Sequence, residues 1–318
     1  MTKVTKSLNF VCISQGSVLY YNIFINYVGA VFFVKVVDIL GNGKVNVSYE
    51  LFPPKAWDKL SGAKQVVREI AALKPSFMSV TYGAGGGTSE YTVDLSREVE
   101  ACGVTALAHL TCLSTSEEKL LTIIESLKAN NIENILALRG DKGELSVPGA
   151  FAHASDLISL IKKHGDFCIG GACYPECHPE SKSLACDLDG LKIKAESGCE
   201  FFTTQMFFDN NVFYKFMYRL LASGINVPVV AGIMPVTNSA QLDRIISLSG
   251  SGIPLRFRAV ADKFASDPAA MKQAGIAYAT DQIIDLIASG VNNIHIYTMN
   301  KPDVAESIMT NLSDIIGK

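Results

Sequence analysis

The sequence predicts an α/β protein built as a (β/α)8 barrel, a TIM barrel, with an additional apolar segment at its N-terminus. Three observations predict it. From residue 45 onward, eight short β-branched runs alternate with helical stretches. The runs are almost continuously apolar, as parallel strands covered on both faces must be. Polar and ionisable residues gather where the runs end, while the strand interiors read as apolar. The C-terminal strand ends are where barrels of this kind carry their chemistry. A length of 318 residues with 48% hydrophobic composition suits one such unit.

The expected strands are VNVSYELF (45–52), FMSVTYG (77–83), TALAHLTC (105–112), NILALRG (134–140), CIGGACYP (168–175), FFTTQMFF (201–208), VPVVAGIMP (227–235) and NIHIYTM (293–299). Helices are expected at 56–74, 116–130 and 239–250, among others, with Ser, Thr or Asp at their starts and Gly or Pro at the junctions. Residues 251–276 read as a partly helical insertion before the last strand. A doubly wound sheet is the main alternative, but it usually places GxGxxG after its first strand, and here that strand ends ELFPPK.

Residues 1–44 read as an N-terminal extension and 45–318 as the barrel. Residues 8–40 are strongly apolar, and VLYYNIFINYVGAVFFV is their densest part. With Asn22 and Asn26 inside it, this stretch is marginal as a membrane span. No A-x-A site marks a signal peptide. Its β-branched and aromatic residues suit strands equally well.

The net charge of −3 and the lack of any basic run argue against nucleic acid as a partner. Eight cysteines without a CxxC pair read as reduced, mostly buried thiols of a cytoplasmic protein. Cys173, Cys177 and His178 form a tight group, but no fourth ligand has convincing spacing for zinc, so no metal is expected.

The strand ends supply the candidate site. They carry Glu50, Thr81 and Tyr82, His109, Arg139-Gly140-Asp141, Tyr174 with His178 behind it, Gln205 and Asp209, and Tyr297-Thr298 leading to Lys301. Glu50 stands among Tyr49, Leu51 and Phe52, where desolvation should raise its pKa and fit it as a general acid. The alternative is an internal salt bridge to Lys or Arg. The GAGGG run at 83–87 suits either a phosphate cradle of backbone N–H groups or a plain glycine-rich turn.

ELFPPK, SVTYGAGGG, AHLTC, LALRGD, YPECHPESKS, TTQMFFD, GIMPVTN and IYTMNK occur in one order, one per strand. In this the chain resembles the methylenetetrahydrofolate reductases of the bacterial single-domain type, over about residues 45–312. The resemblance implies a non-covalent FAD at the barrel mouth. It also implies a ping-pong reaction in which NADH or NADPH reduces the flavin and a folate then enters the same face. Glu50 matches the family's general acid. Asp141 matches the carboxylate beside flavin and pterin, and Gln205 an amide that contacts both substrates. Thr81, Gln241 and Lys301 match further substrate contacts. The matching FAD positions are Thr81, Tyr82, Ala84, His109, Arg139, Gly140, Asp141, Ala154, Tyr174, His178, Asp187 and Lys194. Lys301 stands where relatives carry Arg, which loses a bidentate grip on a carboxylate. Ile193 and Gly190 replace polar FAD contacts, and Ile245 a stacking Phe. A homo-oligomer handling small molecules is expected.

Overall fold

In the computed structural model, eight parallel strands close into a barrel in the order β10-β3-β4-β5-β6-β7-β8-β9. The residues described are 5–14, 17–26, 34–54, 56–82, 89–141, 151–242, 245 and 251–317. They fall into two units, Met1–Phe33 and Val34–Lys318. In the first, β1 (Thr5–Ser14) and β2 (Ser17–Asn26) pair antiparallel, with Thr5 opposite Asn26 and Ser14 opposite Ser17. The strand reading is thus the one adopted over these two segments, and residues 27–33 of the apolar stretch lie outside the described residues. Among the described residues, no helix is long and apolar enough to cross a membrane.

The barrel strands are β3 (Asn46–Leu51), β4 (Phe77–Val80), β5 (Thr105–Thr111), β6 (Asn134–Leu138), β7 (Cys168–Cys173), β8 (Phe201–Thr204), β9 (Val229–Ile233) and β10 (Asn293–Ile296). All eight fall inside the expected runs and stop short of their ends. The trailing residues continue beyond the strands toward the mouth.

The outer layer contains α2 (Leu60–Ala71), α3 (Ser89–Ala101), α4 (Glu117–Ala129), α5 (Ala154–His164), α6 (Leu184–Glu196), α7 (Asn210–Ala222), α8 (Leu255–Lys263), α9 (Pro268–Ala288) and α10 (Pro302–Ile316). Helix α4 shows why they form. The Ser116 hydroxyl accepts from the Lys119 amide, and Glu117 and Glu118 occupy the first turn. Leu120, Ile123, Ile124 and Leu127 then bury one stripe. The expected helix at 56–74 begins instead as a 3-10 turn, Trp57–Lys59, before α2. Exposed Trp57 meets Tyr91 of α3 with ring centroids 5.9 Å apart. The expected insertion resolves into α8 and the start of α9.

A five-residue helix, α1 (Val36–Leu40), closes the N-terminal end of the barrel. Its Val36 and Leu40 pack against Phe77, Leu107, Leu136, Cys168, Phe201 and Val230. Three asparagines at strand starts secure it. Asn134 Oδ1 accepts from the Val36 amide at 2.8 Å, Asn46 donates to the Ile39 carbonyl at 3.0 Å, and Asn293 donates to the Leu40 carbonyl at 3.3 Å. A helix this short satisfies few of its own backbone groups, so these side chains do it.

Above that plug, the lumen is not apolar as expected. Ser48, Ser79, Thr203 and His295 are buried in its middle. Two lumen glycines make room for rings. A Cβ on Gly170 would lie 2.4 Å from the Phe201 ring, and one on Gly232 would lie 2.6 Å from the Tyr297 hydroxyl.

Candidate active site

Side chains in one layer of such a barrel come from alternate strands. That rule places Glu50 of β3 against His109 of β5, and Ser79 of β4 against His295 of β10. The structure has both pairs. Glu50 Oε2 lies 3.8 Å from His109 Nε2. The His295 ring sits between Ser48 and Ser79 at 2.8 and 3.1 Å.

Glu50 is 9% exposed and His109 5%. No Lys or Arg among the described residues pairs with Glu50, so the salt-bridge alternative is not what the fold builds. Burial pushes the Glu50 carboxyl up to about 8 and the His109 imidazole down to about 3. The separation would allow an ion pair, but burial disfavours the charged form of each group. Desolvation outweighs an attraction that only the charged forms would feel.

The tautomer of His295 follows from bond bookkeeping. Ser48 commits its one proton to the Ile294 carbonyl at 3.0 Å, so it can only accept from His295 Nδ1. Nε2 then accepts from Ser79. Burial, and then the neighbouring His109, lower the His295 pKa to about 3. Tyr297 crosses over Gly232 and donates to the Thr204 carbonyl at 2.6 Å. Sequence reading missed Ser48, Ser79 and His295. The available signal was period two, since Ser48 and Glu50 share a face, as do His295 and Tyr297.

The β6–β7 side of the mouth is a network of mixed charge. Arg139 holds Glu180 with two bonds, 2.7 and 3.1 Å, and this contact raises its pKa. Gly140 has φ +88°, and a Cβ there would lie 3.1 Å from the Thr111 side chain. Tyr174 meets the His178 ring edge-on at 4.6 Å. Asp187 accepts from the His178 amide and the Ser181 hydroxyl, fixing the loop after β7. Lys194 donates to the Ala172 carbonyl at 2.8 Å, and burial lowers its pKa. Ala154 opens α5. Asp141 is exposed and acts on both Arg139 and Tyr174. The fold therefore gathers Arg139, Asp141, Tyr174, His178, Asp187 and Lys194 into one neighbourhood.

Tyr82 and Gln205 are half-buried at the mouth, and Gln205 Oε1 accepts from the Met206 amide at 3.0 Å. Lys301 lies at the β9–β10 side and donates to the Thr237 hydroxyl at 2.8 Å. Gln241 ends a 3-10 turn, Ser239–Gln241. Ala84 and the rest of the GAGGG run lie outside the described residues. A groove of about 440 Å³ opens beside the mouth between Pro175-Glu176, Asp209 and Arg219 of α7, and Gly252. It excludes Glu50 and His109, so the chemistry is placed by the lumen and not by this groove.

Three buried polar atoms on or just after barrel strands have no protein partner: Thr81 Oγ1, Thr203 Oγ1 and Thr298 Oγ1. Each orphaned group costs about 1–3 kcal/mol unless a ligand satisfies it. Together with the Arg139 rim they fit a large polar ring system carrying a diphosphate, as FAD does.

Residues 35–313 match the family model described as methylenetetrahydrofolate reductase. The chain is 38% identical over 268 residues to 5,10-methylenetetrahydrofolate reductase of Pectobacterium carotovorum, covering 84% of this chain and 89% of that one. It is 35% identical over 270 residues to the Escherichia coli K12 protein of the same name, covering 84% and 90%. It is 34% identical to methylenetetrahydrofolate reductase (NADH) 1 of Zea mays, covering 87% of this chain and 50% of the maize one. Among solved structures, an uncharacterised Clostridium thermocellum protein that binds two copies of 5-methyl-5,6,7,8-tetrahydrofolic acid shares the fold. It has a TM-score of 0.64 at 13% identity and covers 89% of this chain and 99% of that one. The chain belongs to the methylenetetrahydrofolate reductase family.

Proposed function

We propose that this protein reduces 5,10-methylenetetrahydrofolate to 5-methyltetrahydrofolate with NADH or NADPH, serving one-carbon metabolism and methionine biosynthesis. FAD, when bound at the mouth, supplies a two-electron carrier between nicotinamide and folate. Arg139 and Lys194 would face its diphosphate, and Thr81, His109 and Tyr174 its rings. The two substrates use one face in turn, in ping-pong order.

The observation that carries this reading is Glu50. It is a buried acid at the mouth end of the lumen, without a cationic partner among the described residues, and burial pushes its carboxyl up to about 8. Methylenetetrahydrofolate must open its five-membered ring before a hydride can add at the bridging carbon. Glu50 gives the proton to the departing ring nitrogen, N10, as the C–N bond breaks. The resulting 5-iminium cation is favoured by the Asp141 carboxylate. Gln205 offers an amide to either substrate. One proton and one hydride then account for the methyl product.

The test is an anaerobic absorbance spectrum of the purified protein. A yellow protein that NADH bleaches and methylenetetrahydrofolate recolours supports cofactor, both substrates and their order. A protein that stays colourless with added FAD, or whose reduced flavin the folate cannot reoxidise, overturns the reading.

A further inference from the structure

A buried imidazole beside a buried carboxyl has two neutral tautomers, and they act on the acid in opposite ways. An Nε2–H would donate to the carboxylate and favour its ionised form. A bare Nε2 accepts from the carboxylic O–H and favours the neutral form.

We propose that His109, as its Nδ1–H tautomer, is a positioning residue that holds the Glu50 proton, its Nε2 accepting the carboxyl O–H; this rests on Glu50 being the proton donor. Elimination among the described residues supports it. Tyr297, facing from β10, has given its hydroxyl proton to the Thr204 carbonyl. His295 is occupied at both ring nitrogens by Ser48 and Ser79. Thr81, from β4, makes no bond to Glu50. His109 Nε2, from β5, is buried, without a bond, and 3.8 Å from the carboxyl. That gap is about 1 Å longer than a hydrogen bond, and catalytic contacts are often long before ligands are in place. Glu50 accepts no hydrogen bond from a described residue, so nothing there stabilises its anion. The arrangement thus keeps the acid loaded. Once its proton has gone to substrate, a buried carboxylate without a donor draws a replacement strongly.

The experiment reads the pair directly, in the holoenzyme and without turnover. With 15N-labelled histidine, long-range proton–nitrogen spectra at pH 7 separate the tautomers of the five histidines, and the His109 signals are assigned by their loss in His109→Gln. The expected result is an Nδ1–H tautomer whose Nε2 resonance moves in Glu50→Gln. An Nε2–H tautomer overturns the proposal, and this measurement needs only wild-type protein to fold. Infrared difference spectra supply the second reading. The protonated Glu50 carbonyl band, absent in Glu50→Gln, should shift to higher frequency in His109→Phe and return toward the wild-type position in His109→Gln. A band unmoved in His109→Phe also overturns it. If both readings hold while methylenetetrahydrofolate fails to recolour the flavin, the pair stands and the substrate assignment falls.

Discussion

Glu50 lies on a strand between Tyr49 and Leu51, which both face the surrounding helices. Its own side chain enters the lumen, where it is buried. Replacing it with Gln keeps the shape and removes the proton. In Glu50→Gln, stopped-flow bleaching by NADH should stay close to wild type while recolouring by folate slows at least 100-fold, within the usual range for a lost general acid. Survival of both steps would remove Glu50 from its role. The same carboxyl, raised to about 8, sets a pH limb. The folate step should proceed below pH 8 and fall about tenfold per unit above it. The candidate site residues could be picked out because most of them stand at or near the end of an apolar run that does not need a polar side chain. Ser48, Ser79 and His295 could not. Their bonds join residues 216 and 247 positions apart, and only the barrel's closure brings those strands together.

At the scale of elements, close approaches decide more than propensity does. In α9, a Cβ on Gly275 would lie 1.9 Å from the Val236 carbonyl, in the loop that also carries Thr237, the partner of Lys301. Gly275→Ala should therefore destabilise the fold by about 1–3 kcal/mol despite its better helix propensity. A urea titration measures this, and an unchanged midpoint would show that the helix can shift freely. Asn134 makes three bonds that tie α1 and β5 to the start of β6. Asn134→Ala should cost about 1–3 kcal/mol, with faster amide exchange concentrated in α1. The strands could be read from the sequence because apolar runs report burial on both faces. Helix α1 could not, since five residues are too few for a helical period to emerge from an apolar background.

For the molecule as a whole, three buried groups shape stability against pH. Glu50 is raised from 4.5 to about 8, and His109 and His295 are lowered from 6.5 to about 3. Between pH 4.5 and 6.5 the unfolded chain holds two protons on the histidines, while the fold holds one on Glu50. Stability from this trio then rises with pH by about 1.4 kcal/mol per unit. From 6.5 to 8 only the Glu50 difference remains, and stability falls at about the same rate. The trio favours the fold most near pH 6.5. In Glu50→Gln the acid limb should become about twice as steep and the alkaline limb flat, with a gain on the order of 3 kcal/mol at pH 7. Denaturant titrations across pH 5–8 check this, and an unaltered slope would mean that Glu50 is ionised in the fold.

Trp57 is the chain's only tryptophan, 67% exposed at the turn after β3 and close to Tyr91. Its indole already sits in water in the native state, so unfolding changes its surroundings little. Tryptophan emission is therefore nearly blind to the melting of the barrel and responsive to what happens at one corner of it. Far-ultraviolet dichroism will follow the fold, and the indole, lit in part by energy passed from Tyr91, serves as an optical reporter for that corner alone.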